Sequence, residues 1–139
     1  MLPKVRLFTV NDVDAVAQIF EGIQDGWSKT ALADSLANES IKSFVLEKEN
    51  KVVAFASYLV ADDAELVFIV TDRTEKQKGF AGQLLGETLK ILTLPCILEV
   101  RESNTPAIKL YEKHGFVLIG TRKNFYSNPR EAALIYKLD

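Results

Sequence analysis

The segment Glu65–Leu85, ELVFIVTDRTEKQKGFAGQLL, decides the fold. It opens with the apolar run Leu66, Val67, Phe68, Ile69 and Val70, too short for a helix and rich in branched residues, as a buried strand requires. A turn follows over Thr71–Lys78. Ala81, Leu84, Leu85, Leu89 and Leu92 then recur at spacings of three and four, one face of a helix. Strand, small-residue loop and helix therefore follow one another. The first turn of a helix carries backbone N–H groups without internal partners and the positive end of the macrodipole. Gly79, Ala81 and Gly82 let an anion approach that backbone closely, and Arg73, Lys76 and Lys78 place cations nearby. On these grounds the loop is a pyrophosphate cradle, or a plain strand-to-helix connection whose glycines serve the turn and whose charges are solvated. It is neither a P-loop nor the three-glycine dinucleotide fingerprint.

Outward from this segment, Lys4–Val10 alternates as a first strand, with Val5, Leu7 and Thr9 set against Lys4, Arg6 and Phe8. Asn11 or Asp12 offers an N-cap to an amphipathic helix ending between Gly22 and Gly26. Ser28 caps a second helix, which carries Leu32 and Leu36. Trp27, in the connection, is a packing anchor or a substrate wall. Ile41–Glu47 and Val52–Ala61, separated by a short polar spacer, form a hairpin that continues into the strand at 65–70 as an antiparallel meander. After the central helix, Pro95–Arg101 is a strand parallel to 65–70. Asn104 or Ser103 caps a further helix stopped by Gly115. Strands from Phe116 to about Lys123 and from Ala132 to Leu138 complete the chain, with NFYSNPRE between them as a loop. Strands and helices interleaved in this way make a two- or three-layer mixed sheet.

The 139 residues suit one domain, 1–139. A net charge of −2 provides no general field for nucleic acid or an anionic membrane, so any phosphate binding is local. No run is long enough to cross a membrane, and the amino terminus has no export pattern. The single cysteine, Cys96, sits in LPCILEV as a small buried hydrophobe and fits a reducing cytoplasm. One histidine, His114, makes no metal site and suits a helix C-terminus.

The loop with Lys76, Gly79 and Ala81 resembles the acetyl-coenzyme A motif of the GNAT family of N-acetyltransferases, Gln/Arg-x-x-Gly-x-Gly/Ala, with Lys76 departing from the usual Gln or Arg. A second segment, LEVRESNTPAIKLYEKHGF at 98–116, closely resembles the pattern of the family's ribosomal-protein alanine N-acetyltransferase branch, the RimI type. Glu99, Val100, Arg101, Ser103, Asn104, Ala107, Leu110, Tyr111, Gly115 and Phe116 occupy its named positions. The resemblance implies the α/β (α+β) acyl-CoA N-acyltransferase fold, a mixed central sheet of about seven strands with about four helices. It also implies that acetyl-coenzyme A is held by Ile69, Val70, Thr71, Lys76, Gln77, Lys78, Gly79, Phe80, Ala81 and Gly82, with Asn104 and Tyr111 on the pantetheine arm and sulfur.

An amine attacks a thioester only when unprotonated, and the departing sulfur must receive a proton. Glu99, in an apolar strand, can take the first proton directly or through water, and the Tyr111 phenol can supply the second. The resemblance assigns these same catalytic roles. Glu99 can equally pair with Arg101, two residues along on the same face, and Tyr111 can be a core residue tied to a carbonyl. An α-amine, of lower pKa than a lysine, needs roughly 3.5 kcal/mol less to expose its free base at neutral pH. This chemistry and the resemblance both point to a protein N-terminus, the N-terminal alanine of a small-subunit ribosomal protein. In relatives the substrate groove is made by the connections that correspond here to GIQDGWSKT and NFYSNPREA, hence Trp27, Phe125 and Tyr126. Acidic Glu21, Asp25, Asp62 and Asp63 either attract a basic tail or only solvate the surface. The expected protein is a cytoplasmic monomer or weak dimer. Two other readings are a family member acting on a small-molecule amine, and a non-catalytic acetyl-coenzyme A binding module.

Overall fold

A computed structural model describes residues 2–23 and 25–139. All seven strands join one sheet in the order β1-β2-β3-β4-β5-β7-β6. In chain order these are β1 (Lys4–Leu7), α1 (Val13–Phe20), α2 (Lys29–Ser35), β2 (Ile41–Lys48), β3 (Lys51–Val60), β4 (Ala64–Thr71), α3 (Phe80–Leu92), β5 (Cys96–Arg101), α4 (Thr105–Lys113), β6 (Val117–Tyr126) and β7 (Glu131–Leu138). β2, β3 and β4 form the expected antiparallel meander, and β5 lies parallel to β4.

Alternation along the strands divides the interior in two. Phe44, Leu46, Ala54, Ala56, Tyr58, Leu66, Leu98 and Val100 face Phe80, Leu84, Leu85 and Tyr111 of α3 and α4. Val45, Val52 and Phe55 face Val16, Ile19, Phe20 and Leu32 of α1 and α2. The architecture is thus helix, sheet, helix, with each fully buried aliphatic side chain contributing about 1.5–3 kcal/mol. One polar pin crosses the first of these cores: the Tyr58 hydroxyl lies 2.6 Å from Thr88 Oγ1, which donates to Leu84 O.

Three expectations change. Leu7 is 62% exposed while Phe8, one residue on, is buried against the Phe55 ring, because the chain leaves the ladder after Leu7. Asp12 does not use its side chain to cap α1; that carboxylate instead takes hydrogen bonds from Arg6 and from Thr9 N. Half of the segment NFYSNPRE is strand. β6 continues to Tyr126, which pairs with Glu131, and only residues 127–130 turn. Asn124, with φ of +55°, marks an irregularity inside the strand and not its end.

β4 and β5 are the parallel pair at the centre, yet they are paired only over Ala64–Leu66 and Cys96–Leu98. Beyond those residues β4 stays with β3 as far as Thr71, and β5 stays with β7 as far as Arg101. The parting coincides with a bulge: Tyr58 faces Leu66 and Ser57 faces Phe68, so Val67 is the extra residue that re-aims β4. A wedge therefore opens through the middle of the sheet.

Candidate active site

The wedge brings the two sequence motifs together. On its β4 side Ile69, Val70 and Thr71 are half-buried and have no strand partner toward β5, which leaves main-chain groups available along that edge. At the far end of β4 the chain turns through Arg73–Glu75 and Gln77, with φ of +66°, into Gly79, with φ of +81°. Gly79 caps α3 without a side chain, and a Cβ built there meets nothing within 4 Å. Gln83 is the first residue of α3 to donate back, to Gly79 O at 3.0 Å, so the amides of Phe80, Ala81 and Gly82 stay open at the helix start. This is a cradle of donors at the positive end of a helix of 13 residues, and a diphosphate fits it.

The side chains of this loop divide differently from the sequence expectation. Phe80 turns its ring into the core, beneath the Lys48 ammonium, and offers only its amide to the loop. Gly82 is small for α4: a Cβ there lies 3.6 Å from His114 Cε1 and 3.8 Å from Leu110. His114 in turn places Nε2 3.2 Å from Gly82 O, so it joins the two helices. Lys78 pairs with Glu75 at 3.1 Å, and Arg73 donates to Glu21 O at 2.8 Å. Exposed Lys76 lines a small cavity of about 320 Å³ with Gly22, Ile23 and Thr71. Main-chain amides, more than free cations, thus make the anion site.

Glu99 and Tyr111 lie on opposite faces of the sheet. Leu98 and Val100 point into the α3/α4 core, so Glu99 and Arg101 project from the other face. The Glu99 side chain is 25% exposed, and its partner is Arg122 of β6, 3.6 Å away, not Arg101. Tyr111 is buried against Phe116, with its ring centroid 5.8 Å from that ring. Its hydroxyl has no hydrogen-bond partner among the described residues. Burial pushes the phenol well above its ordinary range, with a smaller push from Tyr126. Tyr126 is itself raised, first by burial and then by the charge of Glu99. It therefore lies within electrostatic range of both residues.

Asn104 caps α4, its Oδ1 accepting from Ala107 N at 3.3 Å, and its exposed NH2 is left for another acceptor. Trp27 packs edge-on against Phe68 at 5.0 Å, an anchor for the connection. Phe125, 48% exposed, and Tyr126 stand edge to face at 5.0 Å on the β6 side. Asp62 and Asp63 lie at the opposite end of β4, roughly 25 Å of strand from the loop, and cannot serve it. A groove of about 610 Å³ runs between α1 and the β2–β3 turn, lined by paired charges such as Arg6, Asp12 and Glu47. Sequence reasoning did not find Phe68 or the Arg122 partner. A lone arginine on a late strand carries no signal of what it will face.

Comparison with known proteins follows the same geometry. The Acetyltransferase (GNAT) family matches residues 13–116. The chain is 36% identical over 120 residues to a protein of Haemophilus ducreyi named [ribosomal protein bS18]-alanine N-acetyltransferase, covering 81% of this chain and 82% of that one. The Escherichia coli strain K12 protein of the same name is 34% identical over 119 residues, covering 81% and 80%. The crystal structure of the Escherichia coli ribosomal-protein-S18-alanine N-acetyltransferase superposes with a TM-score of 0.89 at 31% identity, over 99% of this chain and 93% of that one. With its sheet parted beside an amide-lined helix start, and with that family matched over most of its length, this chain belongs to the GNAT acetyltransferases, enzymes that move an acetyl group from acetyl-coenzyme A to an amine.

Proposed function

We propose that this enzyme acetylates a protein N-terminus, the N-terminal alanine of the small-subunit ribosomal protein bS18, by direct attack in a ternary complex. One observation carries the reading. Beside the gap between β4 and β5, the sheet carries the Glu99 carboxylate on one face and packs Tyr111, whose phenol has no hydrogen-bond partner among the described residues, on the other, which supports Glu99 as base and Tyr111 as acid. The names of relatives 34–36% identical supply the substrate.

Acetyl-coenzyme A, when bound, supplies an acetyl thioester. The open amides of Phe80, Ala81 and Gly82 hold its diphosphate, and the unpaired edge of Ile69–Thr71 with the NH2 of Asn104 guides the arm through the wedge. Glu99 takes a proton from the incoming α-ammonium. The freed amine nitrogen would bond to the carbonyl carbon as the carbon–sulfur bond breaks; the sulfur would keep that electron pair, and the proton the nitrogen then sheds would balance the one the sulfur receives through the Tyr111 O–H. Tyr111 presents its O–H to the sulfur; burial keeps this phenol protonated at physiological pH, the state in which it donates. Arg122 yields its place on Glu99 easily, since its side chain is 58% exposed and such pairs contribute about 0–1 kcal/mol. Trp27, Phe125 and Tyr126 wall the approach.

Purified protein incubated with acetyl-coenzyme A and peptides beginning with the bS18 N-terminal sequence should give a product heavier by one acetyl group on the α-amine. Transfer to polyamines or aminosugars with none to any N-terminal peptide would move the reading to the small-amine branch.

A further inference from the structure

Arg101 follows Glu99 by two residues on the same face of β5, but its guanidinium is spent elsewhere. That group has five N–H donors in a rigid fork, and all five are matched to acceptors. Nε and Nη2 reach Asp25 Oδ2 at 3.3 and 3.0 Å. Nη2 also donates to Ser127 O at 3.1 Å, and Nη1 donates to Pro129 O at 2.9 Å and Glu131 Oε1 at 3.0 Å. The cation stacks on Tyr126, 4.4 Å from the ring centroid, and only 12% of the side chain is exposed. Glu131 is fixed in turn by Ser103, through N at 3.1 Å and Oγ at 3.0 Å. One guanidinium therefore ties the α1–α2 connection to the β6–β7 turn, the two segments on either side of the wedge.

We propose that Arg101 is the positioning residue that sets the width of the acceptor groove and so selects which amine-bearing chain reaches Glu99. This deepens the N-terminal transferase reading and rests on it for the identity of the acceptor. Asp25 and Glu131 are both held by the clamp, whose single positive charge offsets one of their two negative charges, so the clamp sets the width of the groove while one net negative charge stays at its rim. A lysine cannot substitute, because its ammonium has three donors on one point and cannot span Asp25, Ser127 and Glu131 together.

Two readouts on the full chain test this. In Arg101→Lys, hydrogen exchange should quicken about tenfold or more, the equivalent of one charge-assisted hydrogen bond, both around Asp25 and across 127–131, with the β2–β4 amides unchanged. KM for the N-terminal peptide should rise by a similar factor, while KM for acetyl-coenzyme A stays within about twofold. Asp25→Asn, which cuts one end only, should loosen its own connection and spare the turn; it serves equally if Arg101→Lys fails to fold. Faster exchange throughout the chain, or both KM values rising together, would reduce Arg101 to a fold-stabilising residue and overturn the proposal. Loosening of only one segment in Arg101→Lys would overturn it as well. The exchange experiment needs no acceptor, so a wild-type enzyme that ignores peptides would refute the N-terminal reading while the clamp is still judged on its own.

Discussion

Two buried tyrosines show how one side chain serves stability and another is left for chemistry. Tyr58 spends its hydroxyl on Thr88 at 2.6 Å, whereas Tyr111 spends its own on nothing among the described residues. Tyr58→Phe should cost about 1 kcal/mol in a urea titration. Tyr111→Phe should change stability by no more than about 0.5 kcal/mol, yet slow acetyl transfer by about 10²-fold. The reverse pattern would remove Tyr111 from the reaction. Glu99→Gln should lower transfer at neutral pH by about 10²- to 10⁴-fold and leave acetyl-coenzyme A affinity unchanged in calorimetry, because the cradle lies on other residues. Cys96, fully buried on β5, has its thiol pushed up to about 11 by burial. It should therefore resist a thiol reagent at pH 8 in the native protein and react at once in denaturant.

At the scale of elements, the start of α3 and the edge of β4 act together. The glycine at position 79 is needed for its backbone, since φ of +81° costs another residue about 1–2 kcal/mol. At position 82 a single Cβ would make ordinary contact with His114 and Leu110 of α4, so there is room for a methyl and not for a large side chain. Gly79→Val should accordingly lower thermal stability modestly and weaken acetyl-coenzyme A binding, because the new side chain projects into the open space that the proposed cradle leaves for the diphosphate. Gly82→Leu should instead separate α3 from α4 and lower the melting temperature more than Gly79→Val does. Differential scanning fluorimetry with and without the cofactor distinguishes the two effects.

For the molecule as a whole, acid stability depends on the joint between β1 and α1. The Asp12 carboxyl is held below its ordinary 3.8, chiefly by its hydrogen bonds from Arg6, against the opposing effect of burial. A carboxyl lowered in the folded state stabilises it fully above the unfolded value, and that stabilisation is lost as pH falls below it. The difference in unfolding free energy between wild type and Asp12→Asn should be constant above about pH 5 and shrink below about pH 4. Tyr58, Tyr111 and Cys96 have the opposite sign: burial raises each, so their contribution holds through neutral pH and fades on the alkaline side.

By itself the sequence determined the element order and the parallel step between β4 and β5, and it singled out Glu99 and Tyr111 as the residues proposed for the chemistry. Those properties are local: hydrophobic period, a glycine at positive φ, and a motif whose spacing survives in one dimension. The irregular reach of β6 to Tyr126 was not legible, because Asn124 and Asn128 look the same on paper as the residues of a turn. Nor was the fate of Arg101, for which Glu99 was the obvious partner two positions away, while its actual partners lie 76 residues back at Asp25 and 30 ahead at Glu131. Only the tertiary structure decided where β4 and β5 part, which face each side chain takes, and which carboxylates remain free. Each depends on a bulge at Val67 and on contacts between distant segments, whose energies no local pattern encodes.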